Sequence, residues 1–131
     1  MVSQLHLAVA KLELKQLEVI DKLSKKHNDY VIRIIASSKD DKFVALNGDW
    51  ELLTGNEEDC CKEGGWSKII PERDLSNVLK HIDLIKSGTD DFDSFESDVY
   101  RKDGKTIHVK WKGKFFPEID GLVFIGRVKK Y

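Results

Sequence analysis

The chain has 131 residues, 22 of them basic and 23 acidic, with 40% apolar and 34% charged side chains and a net charge of −1. That length suits one domain with its own core and is short for two. The near-neutral balance excludes the electrostatic footprint of a nucleic-acid or anionic-membrane binder.

No apolar run approaches the roughly 18 residues that span a bilayer. Lys11, Glu13 and Lys15 interrupt the N-terminal apolar residues, so the segment is not a secretory signal. The only cysteines, Cys60 and Cys61, are adjacent, which excludes a disulfide framework and fits a reducing cytoplasmic setting.

Leu5 to Lys26 holds no Gly or Pro and has helical periodicity. Leu5, Ala8, Val9, Leu12, Val19, Ile20 and Leu23 form one apolar stripe, and Leu7, Ala10, Leu14 and Leu17 a second. One stripe suffices for a helix lying on its own domain. Two stripes imply two partners, the chain's own sheet and a second copy of the helix, or else a groove within one monomer. Leu5, Val9, Leu12, Leu14, Leu17, Val19 and Ile20 are therefore the candidate dimer interface.

Tyr30 to Ala36 is β-rich and apolar on both faces apart from Arg33, the pattern of a central strand covered on each side. Asp40-Asp41 is a turn, and Phe43 to Asn47 a second strand. Asp49 to Gly55 and Glu57 to Lys62 are read as short helices. Pro71 and Asp74 introduce a longer helix with Leu75, Val78, Leu79, Ile82 and Ile85 as its buried stripe and Gly88 as its stop. Ser87 to Ser94 is expected to be a loop, and its acidic run Thr89-Asp90-Asp91-Phe92-Asp93 to be solvated.

The next hairpin has a register that burial decides. Ile107, Val109, Trp111 and Phe115 alternate with His108, Lys110, Lys112 and Lys114. A two-residue Asp103-Gly104 turn would set Glu96 and Asp98 beside Trp111 and Val109. A three-residue Lys102-Asp103-Gly104 loop, with Gly104 left-handed, pairs Val99 with Ile107, Phe95 with Trp111 and Glu96 with Lys110. One residue of slip inverts every side chain, so the longer loop is expected. Asp120-Gly121 then turns into Leu122 to Val128, a second strand apolar on both faces. The sum is an α+β domain with an antiparallel sheet. The backs of its central strands need a cover, and the N-terminal helix is the element left to supply it.

Several landmarks recur in a telling order: Asn47 and Trp50, the turn at Gly55, Trp66 before Ile70-Pro71-Glu72-Arg73-Asp74, and Arg101-Lys102-Asp103-Gly104 before a long strand. In order and spacing they resemble a PAS domain over about residues 29–130. The resemblance implies a five-stranded antiparallel sheet in the order 2-1-5-4-3, with helices and any ligand cavity on one face. It also implies an N-terminal helix that often packs on the other face and forms the dimer contact. The corresponding division is residues 1–28 as an amphipathic capping and dimerisation helix and 29–131 as the PAS domain.

Phe43, Ala45, Trp50, Trp66, Ile70, Val78, Ile82, Val109 and Trp111 are the candidate lining of a pocket, or plain core. Flavin-cysteinyl chemistry is not expected, because the family's reactive-Cys stretch reads Trp66-Ser67-Lys68-Ile69 here. Haem is not expected either, since Val78 stands where relatives carry the axial ligand and His81 lies off the buried stripe. His6, His27 and His108 have no metal-ligand spacing. No triad, phosphate loop or carboxylate pair stands at telling spacing.

The resemblance therefore implies a cytoplasmic sensory or regulatory domain of a signal-transduction protein, not an enzyme. Its expected partners are a second copy, an effector domain or signalling protein, and a small ligand whose identity the residues do not name. A ligand-free interaction scaffold is the alternative reading, and a small cone-shaped α+β enzyme a third.

Overall fold

The computed structural model describes residues 29–39, 42–57, 64–88 and 92–129. The N-terminal helix and every candidate dimer residue on it, the Asp40-Asp41 turn, Cys60-Cys61 and most of the helix expected at 57–62 lie outside these residues. So do the side chains of Ala45 and Asn47.

Two strands come first, β1 (Asp29–Ser37) and β2 (Phe43–Gly48), then two short helices, α1 (Trp50–Thr54) and α2 (Trp66–Ile69). A longer helix, α3 (Glu72–Lys86), leads to β3 (Asp93–Tyr100), β4 (Thr106–Phe116) and β5 (Gly121–Lys129). The sheet order is β2-β1-β5-β4-β3, and every neighbouring pair is antiparallel. Fold class and strand order match the expectation.

Local chemistry sets the breaks. Gly48 has φ +83°, and a Cβ there would stand 2.3 Å from the Val31 carbonyl oxygen. Only glycine lets β2 turn into α1 so close to β1. Asp49 completes the junction: its Oδ2 accepts from the Val31 amide at 2.9 Å, and its own amide donates to the Val31 carbonyl at 2.8 Å. Pro71 caps α3, where its missing N–H costs nothing, and Glu72 and Asp74 suit the positive end of the helix.

Helix α2 was not anticipated. The sequence gives it only four residues, too few for a periodicity to show. It forms because Gly65 (φ +56°) turns the chain and Ile69 and Trp66 go into the core. Strand β3 also starts earlier than expected, so Asp93 and Ser94 are strand residues rather than loop.

The argued hairpin register holds at each pair: Val99 faces Ile107, Phe95 faces Trp111, Glu96 faces Lys110. Gly104 takes φ +86° in the loop. The longer helix departs from its expected stripe at one residue. Val78, Ile82 and Ile85 are buried and Leu75 packs half-buried against the core, but Leu79 is 41% exposed. The three buried residues fix the centre of the buried face, and at 100° per residue Leu79 falls on its rim.

The helices cover one face of the sheet, here called the inner face. It carries Ile32, Ile34, Leu46, Phe95, Val99, Val109, Trp111, Leu122 and Phe124, which join Trp50, Trp66, Ile69, Ile70, Val78, Ile82 and Ile85 in the main core. The outer face of β1 and β5 carries a second cluster, Val31, Ile35, Val123 and Ile125 with Phe116, all at most 4% exposed. The central strands are thus buried on both faces, as their sequences suggested.

Candidate functional site

The inner face gathers aromatic rings around Trp66. Its ring meets Phe43, Trp111 and Phe124 edge-on, at centroid distances of 5.1, 5.5 and 4.7 Å. Phe95 stacks on Trp111 at 6.4 Å, and His81 of α3 stacks on Phe95 at 5.1 Å. The sheet makes room by omitting side chains beneath the rings. A Cβ at Gly113 would come within 2.6 Å of Phe124, and one at Gly126 within 2.7 Å of Trp111 and Val109.

Polar atoms in this core are treated unequally. The Trp111 indole donates to Ser97 Oγ at 3.0 Å, and the Trp50 indole to the Glu57 carbonyl at 3.3 Å. Buried Thr54 donates to the Trp50 carbonyl at 2.8 Å. Trp66 Nε1 is buried and has no hydrogen-bond partner among the described residues. A buried donor left so costs about 1–3 kcal/mol relative to a satisfied one.

A second polar group fastens the edge strand β3. Asp74 at the start of α3 accepts from the Asp98 amide at 2.8 Å. The Asp98 carboxylate is held by Arg73 and by His108 Nδ1 at 3.0 Å, while His108 Nε2 meets Glu96 at 3.1 Å. At the other end of the helix His81 pairs with Asp93 at 2.7 Å. His81 therefore lies at the flank of the buried stripe, held by a carboxylate and a ring rather than free in solvent. Asp93 is correspondingly a paired strand residue, not part of a solvated loop.

Hydrogen bonds to Asp98 and then Glu96 raise the His108 pKa above its ordinary value, with burial opposing. Bonds from His108 and then Arg73 lower that of Asp98, again against burial. No group of three or more His, Cys, Asp or Glu placed to hold a metal occurs among the described residues.

No family model and no curated protein matches the sequence. Solved structures do. A domain of a sensory box sensor histidine kinase/response regulator from Geobacter sulfurreducens is 14% identical, covering 88% of this chain and 94% of that one, at a TM-score of 0.57. The PAS domain of an HTR-like protein from Haloarcula marismortui is 17% identical over 89% of this chain and 96% of that one, at 0.61. The PAS domain of the RpfR quorum-sensing receptor from Cronobacter turicensis, in complex with C12:0, is 13% identical over 82% and 98%, at 0.60.

The fold is that of a PAS domain. In this PAS fold the candidate pocket residues Phe43, Trp50, Trp66, Ile70, Val78, Ile82, Val109 and Trp111 all belong to one buried cluster, so the sequence grouped side chains that do meet. Phe95, Phe124 and Ser97 belong to the same site and were not among them. Phe95 and Ser97 face Trp111 and Val109 across the argued register, which was the signal available for them. Phe124 sits in a strand apolar on both faces, where alternation cannot say which side a ring takes.

The Arg73–Asp98–His108 group was also missed. His108 follows from the register, since it faces Asp98, but Arg73 is 25 residues from Asp98 and only the docking of α3 brings them together. No helix among the described residues is long and apolar enough to cross a membrane.

Proposed function

We propose that this chain is a sensory or regulatory PAS module of a signal-transduction protein, which takes a small ligand against Trp66 and dimerises through the helix read over residues 5–26. The observation that carries the ligand reading is the buried Trp66 donor, without an acceptor among the described residues, at the centre of the aromatic cluster. Native cores leave few such groups unpaired. A small molecule bearing an acceptor oxygen would complete this one. The similar structures come from a sensor histidine kinase/response regulator and a quorum-sensing receptor, which supports a module that reports to an effector domain or partner protein; on our reading it works in the cytoplasm and does not itself catalyse.

Native mass spectrometry of the freshly purified full chain tests the ligand. A bound small molecule is expected in the wild type, and its loss in Trp66→Phe, which keeps a ring but removes the donor. An unliganded mass, with no thermal shift across a panel of small carbonyl and carboxyl compounds, would overturn this part. It would favour the second reading, a ligand-free scaffold. The edge-to-face packing over Gly113 and Gly126 is the observation on that side.

For the dimer, support comes from the outer cluster. Val31, Ile35, Val123 and Ile125 are closed off from solvent, and the stripe Leu5, Val9, Leu12, Val19 and Ile20 has the length and character to lie on them. That leaves Leu14 and Leu17 for a second copy. Sedimentation of the full chain should give a dimer, and Leu14→Lys/Leu17→Lys a folded monomer. A monomeric wild type would sink the dimer claim without touching the ligand claim.

A further inference from the structure

Beside the outer apolar cluster, over neighbouring strands, the surface changes character. One concavity of about 370 Å³ and another of about 340 Å³ lie along β4 and β5. They share Lys110 and Arg127, so together they form one trough. Among the described residues its charged lining holds Lys110, Lys112, Lys129 and His108, with Arg127, which is already engaged, and the carboxylates Glu96 and Asp29.

The pairing inside the trough sharpens this imbalance. Glu96 stands opposite Lys110 in the register, yet its carboxylate bonds His108 at 3.1 Å. Lys112 has Ser94 on one side and Ile125 on the other, neither of them acidic. Both lysines are exposed, and neither has an ion-pair partner among the described residues. Their neighbour Lys114 differs: its ammonium lies 5.0 Å over the Phe116 ring.

We propose that this trough docks an acidic segment of a partner protein, with Lys110 and Lys112 receiving two of its carboxylates. The two lysines are two residues apart on one strand, so their stems emerge on the same face about 7 Å apart. Carboxylates one helical turn apart match that spacing within the reach of the lysine stems. An open sheet face with exposed cations suits a chain segment better than a small molecule, which needs enclosure to bury its surface. The chain's own first 28 residues are a poor occupant on charge: they hold five lysines against two glutamates and one aspartate. The proposal does not rest on the ligand or the dimer reading.

The test is fluorescence anisotropy of the full chain with a labelled alanine-based helical peptide of about 16 residues. The probe carries glutamates one turn apart on one face, and a control carries glutamines there. The glutamate peptide should bind, the glutamine peptide should bind about tenfold more weakly, and Lys110→Glu/Lys112→Glu should weaken the glutamate peptide by a similar factor. Lys114→Glu, on the same strand beyond the trough, should change it less than about twofold. Amide shifts in ¹⁵N spectra should map to Lys110, Lys112 and Arg127. Equal binding of the two peptides, an equal loss with Lys114→Glu, shifts confined to another surface, or no binding at millimolar protein would each overturn the proposal.

Discussion

The two faces of the sheet are made by the same strands and differ in what holds them. On the inner face of β3 and β4, Phe95, Val99, Val109 and Trp111 are buried under helices and rings, while one residue away Glu96, His108, Lys110 and Lys112 stand on the outer face in solvent. The strands β1 and β5 do not follow this division, since Val31, Ile35, Val123 and Ile125 are buried on the outer side as well. Burial on the inner face is cooperative, because each ring is wall for the next. On the exposed half of the outer face the charges act singly or in small screened groups. The same substitution should therefore have very different consequences on the two faces.

The largest effect is expected at the centre of the inner face. Trp111→Ala removes a ring in contact with Trp66 and Phe95 and leaves Ser97 Oγ without its donor. A loss of about 3–5 kcal/mol is expected, read by urea denaturation, whereas Lys112→Ala on the adjacent outer position should stay within about 0.5 kcal/mol. Equal losses at the two positions would abolish the distinction between the faces.

Next comes overpacking. Gly126→Ala would place a Cβ 2.7 Å from both the Trp111 ring and Val109, and about 1–3 kcal/mol should be lost as those side chains shift. Trp111→Leu in the same chain should recover part of that loss. A double variant no better than additive would show that the contact does not limit the packing.

At the seam between the faces, Asp74→Ala frees the Asp98 amide on the edge strand and removes a carboxylate from the start of α3. About 1 kcal/mol is expected. Faster amide exchange should be confined to β3, and general acceleration would place the effect elsewhere.

The smallest expected effect is the pH dependence of the outer carboxylate–histidine group. With its pKa raised in the folded state, His108 contributes stability that is fully present below its unfolded pKa. That contribution is lost as pH rises through the folded value. Asp98, lowered in the folded state, contributes above its unfolded pKa, and that contribution is lost as pH falls through the folded one. Because His108 is exposed, screening holds its part below about 1 kcal/mol. NMR titration should show the raised His108 pKa returning towards the ordinary value in Asp98→Asn, and His108→Gln should flatten the neutral part of the stability profile. An unmoved titration would remove Asp98 as the cause.

Most of the sheet was legible in the amino acids, and for a physical reason. Side chains alternate with period two, and slipping Ile107, Val109 and Trp111 by one residue would expose all of them, so the amino acids themselves select the hairpin register. The double burial of β1 and β5 was legible in the same way, because neither Tyr30–Ala36 nor Leu122–Val128 alternates. The candidate site was legible as a set of large apolar residues, not as an arrangement. Composition chose Trp50, Trp66 and Trp111, but which indoles find an acceptor depends on where Ser97 and Glu57 come to rest.

What the sequence determined by itself is local or periodic: the strand faces, the hairpin turn at Gly104, the break at Pro71, and the surplus of lysine on one side of β4. What only the tertiary structure decided involves pairs far apart in the chain. The docking of α3 brings Arg73 and Asp74 to Asp98 and exposes the rim residue Leu79. The His108 bond draws Glu96 away from Lys110. The packing of α2 against β4 and β5 leaves the buried Trp66 indole without a partner among the described residues. Chain periodicity reports which way a side chain points, and packing alone reports what it meets there.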